Sequence, residues 1–378
     1  MDDKFQSRPK RLVVKIGTNL LSGKRAFDGQ VMEAVVRELC DLKTADGTDV
    51  LVVSSGAVGC GMSALGLERR PTLLPEKQAV AAVGQSRLMH YYETLVTTHG
   101  AGLRSAQVLL TQADLDERRN YLNVRNTLTT LFGMKNVIPV INENDSTATE
   151  ELRFGDNDTL AAKIAAKINA DLLIILTDVD GLFDRNPDKD KRARLITVVD
   201  EGGITHDLEA VAGGAGSIAS TGGMRTKLEA ARIATAAGVR CIIANGYKSG
   251  VIHGVLEGTL PCTEFLPAHS ALSHRKRWIA FGRSTRGTVR IDGGARSALL
   301  HRGKSLLPAG ITDVEGQFDA GASVRIVDGA GEVIARGLVN YGSDDIRRIM
   351  RHKSTEIAAL LGHKDFDEVI HRDNLVVL

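Results

Sequence analysis

Six short, almost wholly apolar runs, separated by longer amphipathic stretches, constrain the first two-thirds of this chain more than any other feature. The runs are Leu12–Ile16, Val50–Ser54, Gln107–Leu110, Val137–Ile141, Leu172–Leu176 and Arg240–Ala244. Val31–Leu42, Gln78–Val96, Asn120–Phe132, Thr159–Ile168 and Leu228–Ala237 carry helical spacing. A strand with one face in water alternates apolar with polar residues, whereas continuous apolar runs need cover on both faces. Such strands alternating with helices build a mainly parallel sheet between helical layers, so the expected fold class is α/β.

In sheets of this kind ligands bind at the carboxyl ends of the strands. Polar and glycine-rich clusters fall at those ends: Gly17-Thr18-Asn19, Ser54-Ser55-Gly56, Asn142-Glu143-Asn144-Asp145 and Thr177-Asp178. That coincidence is the strongest pointer to an active site.

Beyond about residue 270 the helical spacing stops and glycine becomes frequent. Short alternating runs at Thr288–Ile291, Ser323–Val327 and Val333–Gly337 predict a small β-rich domain, with a linker near Leu266–His274. Charge divides in the same way. Arg275–His352 holds 14 Lys+Arg against 8 Asp+Glu, and the rest of the chain 34 against 38. The net charge of +2 gives the whole molecule no strong field for nucleic acid or membrane. A basic segment on a mildly acidic body suggests different partners for the two parts.

Cys40, Cys60, Cys241 and Cys262 are widely spaced, with no C-x-x-C pair, which argues against a disulfide framework or a zinc site and for a reducing compartment. The opening MDDKFQSRPKR lacks the apolar core of a signal peptide. Leu172–Leu176, the longest purely aliphatic run, is far too short to span a bilayer. A soluble, cytoplasmic protein with no membrane partner is expected.

Neither a G-x-x-x-x-G-K-[ST] loop nor a protein-kinase motif set is present. Instead, Gly213–Gly216 and Thr221–Lys227 precede the alanine-rich helix. A glycine loop entering a helix N-terminus turns backbone N–H groups and the helix dipole toward phosphate oxygens, and Lys227 adds a full charge there. Glycine alone would sooner describe a mobile surface loop; the interleaved Thr221, Thr226 and Lys227 tip the balance to phosphate. Lys15, near the end of an apolar strand, either snorkels from a sheet edge or faces a transferred phosphate at the mouth of the sheet. A helix N-cap accounts for Asp156 or Asn157 singly. It does not account for two clusters, Asn142–Asp145 and Gly155–Asp158, so close together. Carboxylates and amides there would suit the ammonium group of an amino acid, the orientation of the lysines, or magnesium.

The ordered segments VVKIGTNLL, VVSSGAV, AAVGQSRL, PVINENDST, FGDNDTLAA, LTDVDGLFDRNP and TGGMRTKLEAA resemble the glutamate 5-kinases of the amino acid kinase family, from about residue 10 to 265. Residues from about 275 to 355 resemble the PUA domain that many bacterial members carry. The resemblance implies an amino acid kinase-type three-layer sandwich in residues 1–265, a linker at 266–274, and a PUA domain with C-terminal tail in 275–378. It implies ATP-dependent phosphorylation of the L-glutamate side-chain carboxylate to L-glutamyl 5-phosphate, the first step of proline biosynthesis, with Mg2+ accompanying ATP.

Carried over position by position, it implies Lys15 and Thr221, Gly222, Gly223, Met224, Arg225, Thr226 and Lys227 at the ATP phosphates. Thr177 and Asp178 would lie beside the nucleotide. Ser55, Asp145 and Asn157 would contact glutamate, with the Gly56 and Ala57 backbone close by, and Asp158 would organise Lys15 and Lys227. Protein ligands for the metal are not singled out. Proline is an expected feedback inhibitor, placed near Ser146–Gly155, and a homo-oligomer, dimer or tetramer, is expected. Asn19 departs from the serine common at its position in relatives.

A carboxylate nucleophile is ionised at neutral pH, so no general base is needed, and none stands out among His or Cys. Two rivals stay open. One is another acceptor within the family, such as aspartate, acetylglutamate or a nucleoside monophosphate, against which the NEND and GDND pair and the appended β domain count. The other is an RNA-binding or RNA-modification protein whose Arg275, Lys276, Arg277, Arg283, Arg286 and Arg290 track a phosphate backbone. Aromatics for base stacking are few there: Trp278, Phe281, Phe318 and Tyr341.

Overall fold

The computed structural model describes residues 8–21, 29–147, 157–185, 187, 190–200, 204, 208, 223–267 and 285–378, apart from the side chains of 118 and 119. The chain divides into two compact units, Met1–Ala271 and Leu272–Leu378.

Eight strands form the sheet of the first unit: β1 (Arg11–Ile16), β2 (Asp49–Ser54), β3 (Arg104–Leu110), β4 (Val137–Glu143), β5 (Leu172–Thr177), β6 (Val198–Val199), β7 (Arg240–Asn245) and β8 (Cys262–Phe265). Their spatial order is β3-β4-β2-β1-β5-β7-β8-β6. Every neighbouring pair is parallel except β7–β8. The chain builds outward from β1 on one flank and then crosses to β5 on the other. Loops after β1 and β5 therefore leave in opposite directions, which opens a crevice at the carboxyl ends of these two central strands.

The continuous apolar runs behave as expected. Leu12, Val14, Ile16, Ile174 and Leu176 join one core cluster with α1 (Gln30–Asp46), α2 (Ala57–Leu65), α3 (Leu74–His99) and α8 (Val251–Leu256). Val13, Leu173 and Ile175 are equally buried but stand outside that cluster, as the two-residue period of a strand requires. After α4 (Gln112–Asp116) and α5 (Arg118–Gly133), buried alanines and leucines of α6 (Asn157–Ile168) and α7 (Met224–Ala236) complete the other layer, the two helices packing against each other.

Several elements differ from expectation. β3 begins at Arg104, three residues early, and α7 begins at Met224, so Met224–Lys227 is helical rather than loop. The sequence of α2, AVGCGMSAL, carries two glycines and does not announce a helix, because glycine is a poor helix former. Tertiary packing reverses that preference. A Cβ on Gly84 of α3 would lie 1.8 Å from the Ala57 carbonyl oxygen, and one on Gly61 1.9 Å from that of Val80. Without side chains at both positions, α2 and α3 cross backbone against backbone.

In the second unit five strands order as β10-β9-β11-β12-β13: β9 (Gly287–Ile291), β10 (Ile311–Glu315), β11 (Ser323–Val327), β12 (Val333–Leu338) and β13 (Leu375–Val377). Val289, Ile291, Val324 and Ile326 form its core with Phe318 and Tyr341. The β-rich frame agrees with the reading of the sequence, but the expected disappearance of helices does not hold. α9 (Gly293–Arg302), α10 (Ser343–Ile349) and α11 (Ile357–Leu361) are present. They are short, and α9 opens on Gly-Gly behind an Asp292 cap that accepts from Ala295 N at 2.7 Å, so helical periodicity had little length to show itself. Most of the expected linker lies outside the described residues. Among the described residues, no helix is long and apolar enough to cross a membrane.

Candidate active site

Asp158 stands in the first turn of α6 and is wholly excluded from solvent. Lys15, the penultimate residue of β1, places Nζ 2.5 Å from its Oδ1; Lys227, in the first turn of α7, places Nζ 3.1 Å from its Oδ2. Thr226 Oγ1 donates to the same Oδ2 at 3.1 Å. Both lysines are 5% exposed. β1 is the fourth of eight strands, so the edge-strand reading of Lys15 fails and its ammonium is paired in the interior.

Burial pushes the Asp158 carboxyl up, but the Lys15 and Lys227 ammonium groups outweigh it and hold the group below the ordinary carboxylate value. The carboxylate is therefore ionised at neutral pH. Two ammoniums against one carboxylate leave one positive charge in excess, held at the base of the crevice by strand β1 and two helix N-termini. Those termini add the positive end of their dipoles, so the place suits an anion.

Beside this trio lies a neutral polar platform. Asn157 Nδ2 is 2.9 Å from the Ser54 carbonyl oxygen, 3.0 Å from Ser55 Oγ and 3.0 Å from Asn142 Oδ1. Asn142 Nδ2 in turn donates to Gln85 Oε1 at 2.9 Å. The amide of Asn157 thus ties β2, β4 and α6 together. The chain turns from Ser55 into α2 through Gly56 at φ +112°, a conformation side chains rarely adopt. Ser55 N–H donates back to the Ile16 carbonyl at 3.2 Å, fixing this loop to β1.

On the other side of β1, Thr177 Oγ1 donates to Asp178 Oδ1 at 3.0 Å and Asn19 Nδ2 to Asp178 Oδ2 at 3.0 Å. Asp145 sits two residues beyond β4, partly buried, in a turn fixed by the Asn144 N–H on the Leu110 carbonyl.

Most of the residues singled out from sequence are thus brought to the carboxyl ends of the central strands in three groups: Lys15, Asp158, Thr226 and Lys227; Ser55 and Asn157 near Gly56 and Ala57; Thr177 and Asp178, while Asp145 follows β4 outside these groups. Gly223 caps α7, and Met224 and Arg225 fill its first turn. Thr221, Gly222, Asp156 and most of Ser146–Gly155 lie outside the described residues. Gln85 was missed. It lies in the AAVGQSRL segment, directly after Gly84, the residue that lets α3 press onto α2. Asn142 belonged to a noted cluster but was not singled out, because its hydrogen bonds to Asn157 and Gln85 span 15 and 57 residues of sequence. Among the described residues no group of three or more His, Cys, Asp or Glu converges as a metal cage.

Residues 10–245 match the amino acid kinase family and residues 287–361 the PUA domain. The chain belongs to the amino acid kinase family. Among similar members of that family, the glutamate 5-kinase of Moorella thermoacetica is 50% identical over 373 residues, covering 98% of this chain and 97% of that protein. The glutamate 5-kinase of Caldanaerobacter subterraneus subsp. tengcongensis is 48% identical over 369 residues, covering 97% and 98%. That of Syntrophotalea carbinolica is 47% identical over 371 residues, covering 98% of each. The resemblance to amino acid kinases read from seven ordered motifs is borne out, and the eight-stranded, mostly parallel sheet is the amino acid kinase layer of this chain.

Proposed function

We propose that this chain transfers the γ-phosphoryl group of ATP to the side-chain carboxylate of L-glutamate, giving L-glutamyl 5-phosphate and ADP, the first step toward proline. The buried Lys15–Asp158–Lys227 trio at the switch-point crevice carries this reading, and near-full-length similarity to glutamate 5-kinases supports the choice of acceptor.

A glutamate carboxylate has an ordinary pKa of about 4.3 and reaches the crevice already ionised. One of its oxygens forms a bond to the γ-phosphorus while the bond from that phosphorus to the β-phosphate oxygen breaks, and ADP leaves with that electron pair. No proton moves. The difficulty is repulsion between two anions, and the remedy is fixed positive charge where negative charge builds up. Lys15 and Lys227 supply it, Asp158 holding one ammonium at each of its oxygens so that neither strays. Ser55, Asp145 and Asn157, with the Gly56 and Ala57 backbone, hold the acceptor. Gly223–Lys227 at the α7 N-terminus and Thr177 and Asp178 hold the nucleotide, together with Thr221 and Gly222, which precede them in sequence.

Magnesium would shield the ATP phosphates. Asp158 has both oxygens engaged by cations, and no acidic cage converges among the described residues, so the ion fits as a passenger of the nucleotide phosphates rather than as a resident of a protein site.

Proline feedback, a dimer or tetramer, and a cytoplasmic location accompany this reading as family expectations. Of the residues that carried the RNA-binding alternative, Arg275, Lys276, Arg277, Trp278, Phe281 and Arg283 lie outside the described residues, Arg286 is exposed, and the rest do not favour it. Phe318 and Tyr341 are buried in the core of the second unit, and Arg290 is engaged by Glu315 and the Asp328 carbonyl.

The test is ATP turnover with magnesium and hydroxylamine, offering L-glutamate, L-aspartate, N-acetylglutamate and UMP separately. Hydroxamate from glutamate alone is expected. Turnover with another acceptor, or with none, overturns the assignment.

A further inference from the structure

Asp178 is exposed, yet each of its oxygens is held, one by Thr177 and the other by Asn19. The Asn19 carbonyl accepts from the Tyr247 hydroxyl at 2.9 Å, and the Tyr247 N–H donates to Asn245 Oδ1 at 3.0 Å. Gly246 N–H donates to the Thr177 carbonyl at 2.8 Å, which closes the circuit from β5 through the β1 loop to the β7 loop and back. Gly246 fits the circuit closely. A Cβ there would lie 2.4 Å from Leu20 Cδ1, and Leu20 is buried, so a larger residue would have to displace that side chain for the β7 loop to seat against residues 17–21. Asp180, two residues further on, is held too, by Asn245 Nδ2 at 3.0 Å.

Fixing an exposed carboxylate in this way orders several side chains for little gain in folding stability, because surface contacts of charged groups contribute weakly in water. The order has a use if Asp178 must meet a ligand in one orientation. An ionised carboxylate only accepts hydrogen bonds, so the facing ligand group is a donor. The nucleoside end of ATP, with its sugar hydroxyls and base amino group, offers such donors; its phosphates do not.

We infer that Tyr247 and Asn19 are positioning residues for the nucleotide, acting in series to orient Asp178 toward the donor groups of the nucleoside. The inference rests on the reading of this crevice as an ATP site, but not on the identity of the acceptor.

The test is equilibrium binding of a non-hydrolysable ATP analogue, without glutamate, to the full chain and to Tyr247→Phe, Asn19→Ala and the double variant, with thermal midpoints measured alongside. Loss of either link should weaken binding about three- to tenfold, the range of a single lost hydrogen bond. In the Asn19→Ala background, Tyr247→Phe should add nothing, since its effect runs through Asn19. Unchanged midpoints with this pattern support positioning. Wild-type affinity in both single variants overturns it, as do independent, multiplying losses. If the wild type binds the analogue but leaves glutamate untouched, the acceptor assignment falls while this inference is judged on the binding pattern alone.

Discussion

The Lys15 ammonium lies 2.5 Å from Oδ1 of Asp158, a carboxylate with no solvent exposure at all. A buried charge keeps its ionised form only when paired, and here the pairing brings the end of β1 to the start of α6. Replacing Asp158 by alanine leaves two ammoniums without their counter-charge. Breaking a buried pair in this way typically costs about 3–5 kcal/mol. Asp158→Ala should therefore show a clearly lower urea midpoint as well as lost activity; loss of activity at an unchanged midpoint would contradict the pairing.

The same pair sets an acid limb. Lys15 and Lys227 hold the Asp158 carboxyl below its ordinary value, so its contribution is present above the unfolded value of about 4 and is lost as pH falls through the folded value. The stability gap between wild type and Asp158→Asn should shrink as urea titrations move from pH 7 into that acid range. A constant gap would show that the carboxylate does not titrate as a paired group.

Lys15→Ala and Lys227→Ala should lower kcat by about 10²–10³ with a smaller change in glutamate KM, because each removes charge that matters most in the transition state. Asp145→Ala should do the reverse, raising glutamate KM more than it lowers kcat. Initial-rate kinetics over both substrates separate the patterns, and exchanged patterns would exchange the assigned roles.

Much of this was legible in the chain. Both faces of β1 and β5 are covered, so their sequences are continuous apolar runs, and such runs identify a parallel sheet and place a site at its carboxyl edge. Lys15 stood out because an ammonium in such a run demands a partner. What could not be read were contacts made across sequence: Asn157 to Asn142 and Ser55, Asn142 to Gln85, and Tyr247 to Asn19 across 228 residues. Nor did α2 show itself, because its glycines serve the crossing with α3 at the expense of helix propensity.

That crossing can be tested directly. Gly84→Ala would drive a methyl into the Ala57 carbonyl and force α3 away from α2. Overpacking of this kind costs about 1–3 kcal/mol, and glutamate KM should rise with it, because Ser55, Gly56 and Ala57 open α2. A variant with wild-type midpoint and KM would show that the backbones do not meet.

Lys167 predicts a slope at the alkaline side. It is buried in the last turn of α6, donating to the Leu115 carbonyl at 3.0 Å and lying 4.0 Å from the centre of the Tyr121 ring. Burial, aided by Lys163, pushes its pKa down to about 7, although Asp116 opposes the shift. An unfolded lysine keeps its proton to about 10.4. Between these values the unfolded state binds the extra proton, so stability should rise with pH relative to Lys167→Met. Parallel pH profiles of the two proteins would contradict a depressed lysine.

The central claim, phosphoryl transfer onto a carboxylate, is tested most directly with glutamate carrying oxygen-18 in its side-chain carboxylate. With hydroxylamine present, the trap attacks the acyl carbon and releases phosphate that keeps the bridging oxygen. The account predicts inorganic phosphate bearing one oxygen-18 atom, formed in step with the hydroxamate. Unlabelled phosphate released from ATP would mean that water, not the glutamate carboxylate, takes the phosphoryl group.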